Sequence, residues 1–243
     1  MIIIPMAGIS SRFFNAGYTK PKYMLEAHGK TLFEHSVISF EKYFHEAKFL
    51  FIVKDIFDTP AFVKEKAHAM GIDDFHIIII SENTRGQAET VCLGLEKLAS
   101  LGVDYNGSIT IFNIDTFRFG FSMPEIADHC DAYLEVFEGE GNNWSFAEPK
   151  SQNSTEVVRT AEKNPISNLC STGLYHFNHK KDFLDAFYDY LAKPRDEWEK
   201  GELYIAPLYN NLINKGLKVH YHLINYRDVI FCGIPDEYVE FKK

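Results

Sequence analysis

Apolar positions in the first half of the chain fall into short unbroken runs separated by longer stretches of helical period. The segments "MIIIP", "KFLFIVK", "DFHIIIIS" and "SITIFNI" are rich in β-branched and aromatic side chains and read as strands. Between them, "TLFEHSVISFEKYF", "PAFVKEKAHAM" and "QAETVCLGLEKLAS" space their apolar residues for one face of a helix. A βαβαβαβ succession predicts an α/β fold, a Rossmann-like, mixed but mainly parallel sheet flanked by helices, and such sheets take ligands at the carboxyl ends of their strands. After "NIDTF" the pattern changes. "AYLEVFE", "NWSFAEP" and "TEVVRTAE" suggest strands that pair in antiparallel or mixed fashion, followed by "STGLYHF", helices near "KKDFLDAFYDYL" and "ELYIAPLYNNLINKG", and "KVHYHLI". No Ser/Pro/Gly-rich linker, low-complexity tract or internal repeat interrupts the chain, so the expectation is one domain over 1–243.

Composition narrows the function classes. A chain of 243 residues with 46% hydrophobic content can bury a full core. Its formal charge of −9 argues against general affinity for nucleic acid or anionic lipid, so any anion site has to be a local concentration of Lys and Arg. No apolar run approaches the roughly 18 residues of a membrane span. At the start of the chain the positive charge follows an apolar run too short for a signal peptide. Cys92, Cys130, Cys170 and Cys232 are far apart and form no Cys-x-x-Cys pair, which reads as reduced thiols of a cytoplasmic protein. His220 and His222 share one face of a strand but have no evident third ligand, so a half-exposed strand face is favoured over zinc. The 13 Tyr and 21 Phe read as core and sheet packing rather than a stacking platform for nucleic acid.

The chemistry concentrates at the end of the first strand, in "PMAGISSRF". That loop places Ala7, Gly8, Ser10, Ser11 and Arg12 at the carboxyl edge of the sheet. Gly8 admits close backbone approach to a ligand, the serines offer short hydroxyl donors, and Arg12 offers a planar fork matched to phosphate oxygens. Lys22 follows in "KPKYML", where Pro21 stiffens the approach and the ammonium acts as a point charge. The spacing fits neither the P-loop nor the dinucleotide fingerprint. A nucleoside triphosphate is nonetheless the anion that two such cations suit.

"MAGISSRF" followed by "KPKYML" resembles the signature of sugar-1-phosphate nucleotidyltransferases, a Gly-rich loop ending in Arg and then Lys-Pro-Lys. "TRGQAETV", "IFNIDTF", "TAEKNP" and "STGLYHF" are similar, in the same order, to that family's Gly-x-Ala segment, its metal-binding Asp, its Glu-Lys-Pro and its Ala-Gly-x-Tyr strand. Within the family, the chain most resembles the short bacterial members linked to capsule or surface-polysaccharide synthesis. The resemblance implies that a phosphate monoester attacks the α-phosphorus of a nucleoside triphosphate and releases pyrophosphate. It implies a catalytic Arg12 on the β- and γ-phosphates, a catalytic Lys22 between the α-phosphate and the acceptor, and Asp115 as ligand of Mg2+. It places Ser81, Gly86 and Gln87 near the nucleobase and Glu148, Lys163, Thr172 and Gly173 near the acceptor, with Glu162 or Glu202 sharing the role of Glu148. The chain then divides into a nucleotide-binding half, about 1–117, and an acceptor-binding half, about 118–243. The partners implied are a nucleoside triphosphate and a phosphorylated small molecule; a monomer and an oligomer are both compatible with the sequence.

Near the end of the chain one motif departs from the family pattern at two positions. The family's second metal carboxylate lies in an Asp-x-Gly-Thr, where this chain has Phe231 and Ile234 in "VIFCGIPDEY". Either Asp115 and the phosphates suffice, or Asp228 or Asp236 reaches in, or metal-dependent turnover is lost. Two alternatives remain in view: a cytidylyltransferase acting on a non-sugar phosphate such as phosphocholine, and a GT-A type glycosyltransferase. The latter carries Asp-x-Asp where "NIDTF" has one Asp.

Overall fold

In the computed structural model, which describes residues 1–243, the chain opens with β1 (Ile2–Met6), α1 (Ser11–Asn15), β2 (Glu26–Ala27), β3 (Lys30–Thr31), α2 (Leu32–Val37), β4 (Phe49–Val53), α3 (Thr59–Ala69), β5 (Phe75–Ile79), α4 (Gln87–Ser100), β6 (Ile109–Phe112) and β7 (Thr116–Arg118). It continues through β8 (Ala132–Glu138), β9 (Ser145–Pro149), β10 (Val157–Glu162), β11 (Leu169–Phe177), α5 (Lys180–Leu191), α6 (Leu208–Asn214), β12 (Val219–Ile224), β13 (Val229–Phe231) and α7 (Pro235–Phe241). The fold is the expected mixed, mainly parallel sheet flanked by helices. No helix is long and apolar enough to cross a membrane. Contacts group the chain into two units, one of residues 2–81, 112–122 and 227–243, the other of residue 1, 82–111 and 123–226.

In the first unit β1, β4 and β5 run parallel, with Met6 opposite Val53 and Val53 opposite Ile79, so their carboxyl ends finish level. All five residues of β4 are buried, and only Pro5 of β1 is partly open, as expected of parallel strands covered on both faces. α2 starts at a reciprocal cap: the Thr31 hydroxyl accepts from the Glu34 N–H at 3.3 Å while the Glu34 carboxylate accepts from the Thr31 N–H at 2.8 Å. The helix expected to run on through "ISFEKYF" instead tightens into a 3-10 segment over Ile38–Tyr43, with Phe40 out of helical geometry. Consecutive β-branched residues Val37 and Ile38 favour helix weakly, and the Ser39 hydroxyl is engaged by the Arg118 N–H at 2.9 Å. Several short elements are additional to the sequence reading. β7 and β13 pair antiparallel, with Phe231 opposite Thr116, and α7 seats Tyr238 in a cluster with Phe13, Leu32, Phe117 and Cys232.

The second unit holds the antiparallel pairings of the main sheet. β11 runs antiparallel to β8 and β9, β10 antiparallel to β9, and β12 parallel to β8. All nine residues of β11 are buried, and its register with β8 breaks between Ser171 and Tyr175, where Gly173 adopts φ 88°. α4 turns Ala88, Val91, Cys92, Leu95 and Leu98 inward, the stripe its periodicity predicts. The helix expected over "ELYIAPLYNNLINKG" occupies only Leu208–Asn214, because Ala206 precedes Pro207 and that position disfavours helical backbone. His220 and His222 lie half-buried on β12, and the His220 Nδ1 is 2.9 Å from the Thr155 hydroxyl. All four cysteines are free and buried. Burial pushes the thiols of Cys92, Cys130 and Cys170 up to about 11, which leaves them protonated and unreactive near neutral pH.

Candidate active site

The loop after β1 is shaped by its own backbone. Ser10 takes a left-handed conformation (φ 53°) as the residue that starts α1, and its hydroxyl accepts the Lys22 N–H at 3.2 Å. That bond ties the Gly8 loop to the segment bearing Lys22, so Ser10 has a structural partner as well as its place in the loop. Ala7 is buried at the strand end; Gly8, Ser11 and Arg12 are exposed. A Cβ at Gly8 would meet nothing within 4 Å, so the space above the loop is open. The Arg12 side chain points into solvent with no protein partner. Lys22 begins a single 3-10 turn after Pro21 (φ −56°), and its ammonium lies 2.5 Å from Asp115 Oδ2.

Asp115 stands in the turn between β6 and β7, two strands whose connection is closed by a Thr116 N–H to Asn113 carbonyl bond of 3.3 Å. Its backbone carbonyl accepts the Cys232 N–H at 2.7 Å, which fastens the end of β13 beside it. Gly233 comes next, and a Cβ there would stand 3.2 Å from Asp115 Oδ2 and 3.6 Å from Glu237 Oε2. Glu237, on the first turn of α7, accepts the N–H groups of Gly233 at 2.7 Å and Ile234 at 3.2 Å. Gly233 is therefore a glycine for close approach: two carboxylates border the room its missing side chain leaves. Burial, with Glu237 and Asp115 adding negative charge, pushes the Cys232 thiol up to about 12 against the opposing pull of Lys22. The thiol is thus no candidate nucleophile.

The other residues expected at the nucleotide are Ser81, Gly86 and Gln87. Ser81 is exposed just beyond β5. Gly86 precedes α4 with φ 154°, and a Cβ on it would fall 2.4–2.7 Å from backbone atoms of Leu203. The Leu203 N–H bonds to the Arg85 carbonyl and its carbonyl accepts the Ala88 N–H, both at 2.9 Å. Packing against that irregular segment explains the glycine, and it occupies one N–H of the helix start. Gln87 is half-buried as the first residue of α4.

The residues expected near the acceptor lie in the second unit and separate into two kinds. Lys163, at φ 50°, donates to the Tyr204 hydroxyl at 2.5 Å, lies 4.5 Å from the centroid of that ring and 3.9 Å from Glu162 Oε1. Glu162 is buried and accepts from the Ser145 hydroxyl, which is 3.1 Å from the Tyr175 hydroxyl; burial raises its carboxyl above the usual range, against the pull of Ser145 and Lys163. Glu162 and Lys163 thus form one polar cluster. Glu148 instead pairs with Arg159 at 3.0 Å across β9 and β10, and Glu202 is exposed. Thr172 is buried, its hydroxyl 3.1 Å from Glu135 Oε1, and Gly173 sits in the adjoining bulge, so both are walls of the strand rather than open donors.

Comparison with solved structures decides the family. The nucleoside-diphosphate-sugar pyrophosphorylase of Vibrio cholerae RC9 is 66% identical, covers 99% of both chains and superposes with a TM-score of 0.97. The chain belongs to the sugar-1-phosphate nucleotidyltransferase family. A putative glucose-1-phosphate thymidylyltransferase from Bacillus anthracis (17% identity, 99% of this chain and 92% of that one, TM-score 0.73) and the inositol-1-phosphate CTP transferase from T. maritima (14%, 99% and 93%, 0.71) share the fold. No protein-family model and no curated protein sequence matches the chain. As a sugar-phosphate nucleotidyltransferase it is an enzyme, and its departure at Phe231 can be read in three dimensions. Phe231 lies in β13 opposite Thr116, the residue next to Asp115. Asp228 and Asp236, the alternatives suggested by sequence, are both exposed. The carboxylate that borders the same room as Asp115 is Glu237, which sequence reasoning missed; its signal is the Pro235-to-Glu237 opening of a helix directly after the motif glycine.

Proposed function

We propose that this nucleotidyltransferase condenses a nucleoside triphosphate with a sugar phosphate, releasing pyrophosphate and a nucleotide-activated sugar for surface polysaccharide such as capsule, in the cytoplasm. The observation that carries the reading is the Lys22–Asp115 contact of 2.5 Å, tied through the Ser10 hydroxyl to the loop that bears the exposed Arg12, at the level carboxyl ends of parallel strands. Arg12 holds the departing phosphates. Lys22 neutralises the α-phosphate and the incoming phosphate as they are brought into line, a task of charge and position without a covalent intermediate. Ser10 keeps the two cation-bearing segments together, and Lys163 with Glu162 orients the acceptor through its phosphate and hydroxyls. The residues also fit Mg2+: Asp115 and Glu237 offer hard carboxylate oxygens around the room left by Gly233, and the ion pair of Asp115 with Lys22 supports a cation at that carboxylate. When bound there, the ion supplies further charge neutralisation on the phosphate oxygens.

A matrix of nucleoside triphosphates against phosphorylated acceptors, sugar 1-phosphates and phosphocholine among them, read by pyrophosphate production, tests the reading. One triphosphate and one sugar phosphate together should give stoichiometric pyrophosphate that ceases in excess chelator. Release of a nucleoside diphosphate instead, or of nothing in any pairing, would refute it.

A further inference from the structure

The turn between β4 and α3 has no part in the function proposed above, yet it is built with unusual care. Phe57 and Asp58 take successive left-handed backbone conformations, φ 51° and 55°, which residues with side chains seldom adopt unless their surroundings impose it. Phe57 gains no burial in return, since it remains 53% exposed. Its ring stacks on Phe14, with centroids 5.5 Å apart and planes at 20°. Phe14 belongs to α1, two positions after Arg12. A helix of five residues does not hold its own geometry, so the direction of α1 depends on what its side chains meet. On one side Phe13 is buried against Tyr18 and Tyr238; on the other the contact is Phe57.

The same turn reaches the second cation. Thr59 closes it by donating its N–H and its hydroxyl to the Ile56 carbonyl, at 3.0 and 2.5 Å. With its proton so used, the Thr59 hydroxyl accepts from Tyr23, whose buried hydroxyl is 2.8 Å away and whose neighbour in the chain is Lys22. One turn thus touches the residue after Lys22 and the helix that carries Arg12. β4 is the parallel neighbour of β1, so the turn emerges level with the Gly8 loop.

We infer that Phe57 is a positioning residue: by stacking on Phe14 it orients α1 and so directs the Arg12 guanidinium onto the triphosphate. The inference rests on the proposed role of Arg12, and its test separates the two. Steady-state kinetics of Phe57→Ala and Phe57→Tyr, each in the wild-type and the Arg12→Ala background, give the coupling. Phe57→Ala should raise the triphosphate KM about three- to tenfold, the range an aromatic pair is worth, with the acceptor KM and melting temperature held. Phe57→Tyr should restore it, and in the Arg12→Ala background the loss of the ring should add less than about twofold. An equal rise in both backgrounds would place Phe57 on some other contact and overturn the inference, as would a fall in melting temperature with an unchanged triphosphate KM. If Arg12→Ala alone leaves the triphosphate KM unchanged, the role proposed for Arg12 fails, and hydrogen exchange of residues 11–15 judges the stack by itself. Phe57→Ala must speed that exchange and Phe57→Tyr must not; no change in either refutes the orientation of α1 by Phe57.

Discussion

Lys22 and Asp115 are 93 positions apart in the chain and 2.5 Å apart in space, with side chains 20% and 24% exposed. The pair is enclosed enough that its field is stronger than that of a surface ion pair, and open enough for a ligand to reach either member. Lys22→Ala should therefore lower turnover about a hundredfold or more, the usual cost of losing one electrostatic donor in a transition state. Because Asp115 keeps some access to water, its carboxylate is rehydrated rather than stranded. The melting temperature should then stay within about 4 °C, the shift that roughly 1 kcal/mol produces in a chain of this size. Rates under saturating triphosphate and a thermal melt check both halves; wild-type turnover in the variant would remove Lys22 from the reaction.

At the scale of elements, the βα alternation was legible because parallel strands buried on both faces appear as unbroken apolar runs, and "FLFIV" is buried at every position. Three-residue strands carry no period, which is why β7 and β13 escaped the pattern although they set Gly233 beside Asp115. The loop residues were legible by their chemistry. The Phe57–Phe14 stack and the Gly86–Leu203 approach were not, since each joins segments whose contact the fold alone creates. β11 supplies a test of the same kind. His176 is buried on it, its Nδ1 2.9 Å from the Thr110 hydroxyl and its Nε2 2.9 Å from Asn178 Oδ1, and burial lowers its pKa from 6.5 to about 4. The folded state thus binds fewer protons than the unfolded state between those values. Stability present above pH 6.5 is lost as pH falls toward 4, by about 3 kcal/mol in all. Urea unfolding at pH 7 and pH 5 should show the loss, and His176→Gln should flatten it; an equal slope in the variant would assign the acid sensitivity to other groups.

For the whole molecule, a formal charge of −9 means that anionic substrates are held against the average field, by cations placed one at a time. Arg12 and Lys22 belong to one unit and Lys163 to the other. Lys163 is also set apart by its environment. Its backbone is held at φ 50° by an N–H bond of 2.8 Å to the Trp144 carbonyl, and its ammonium is shared between Tyr204 and the buried Glu162. A cation so placed is ordered before any ligand arrives, which suits the capture of a phosphate monoester better than the following of a flexible triphosphate. Lys163→Ala is accordingly expected to raise the acceptor KM or lower acceptor-saturated turnover while triphosphate affinity stays within about threefold, roughly 0.7 kcal/mol. Calorimetry of triphosphate binding beside steady-state kinetics in the acceptor separates the outcomes. Were triphosphate affinity to collapse while acceptor dependence stayed normal, Lys163 would join Arg12 and Lys22 on the triphosphate, and the assignment of the two substrates to different cations would be wrong.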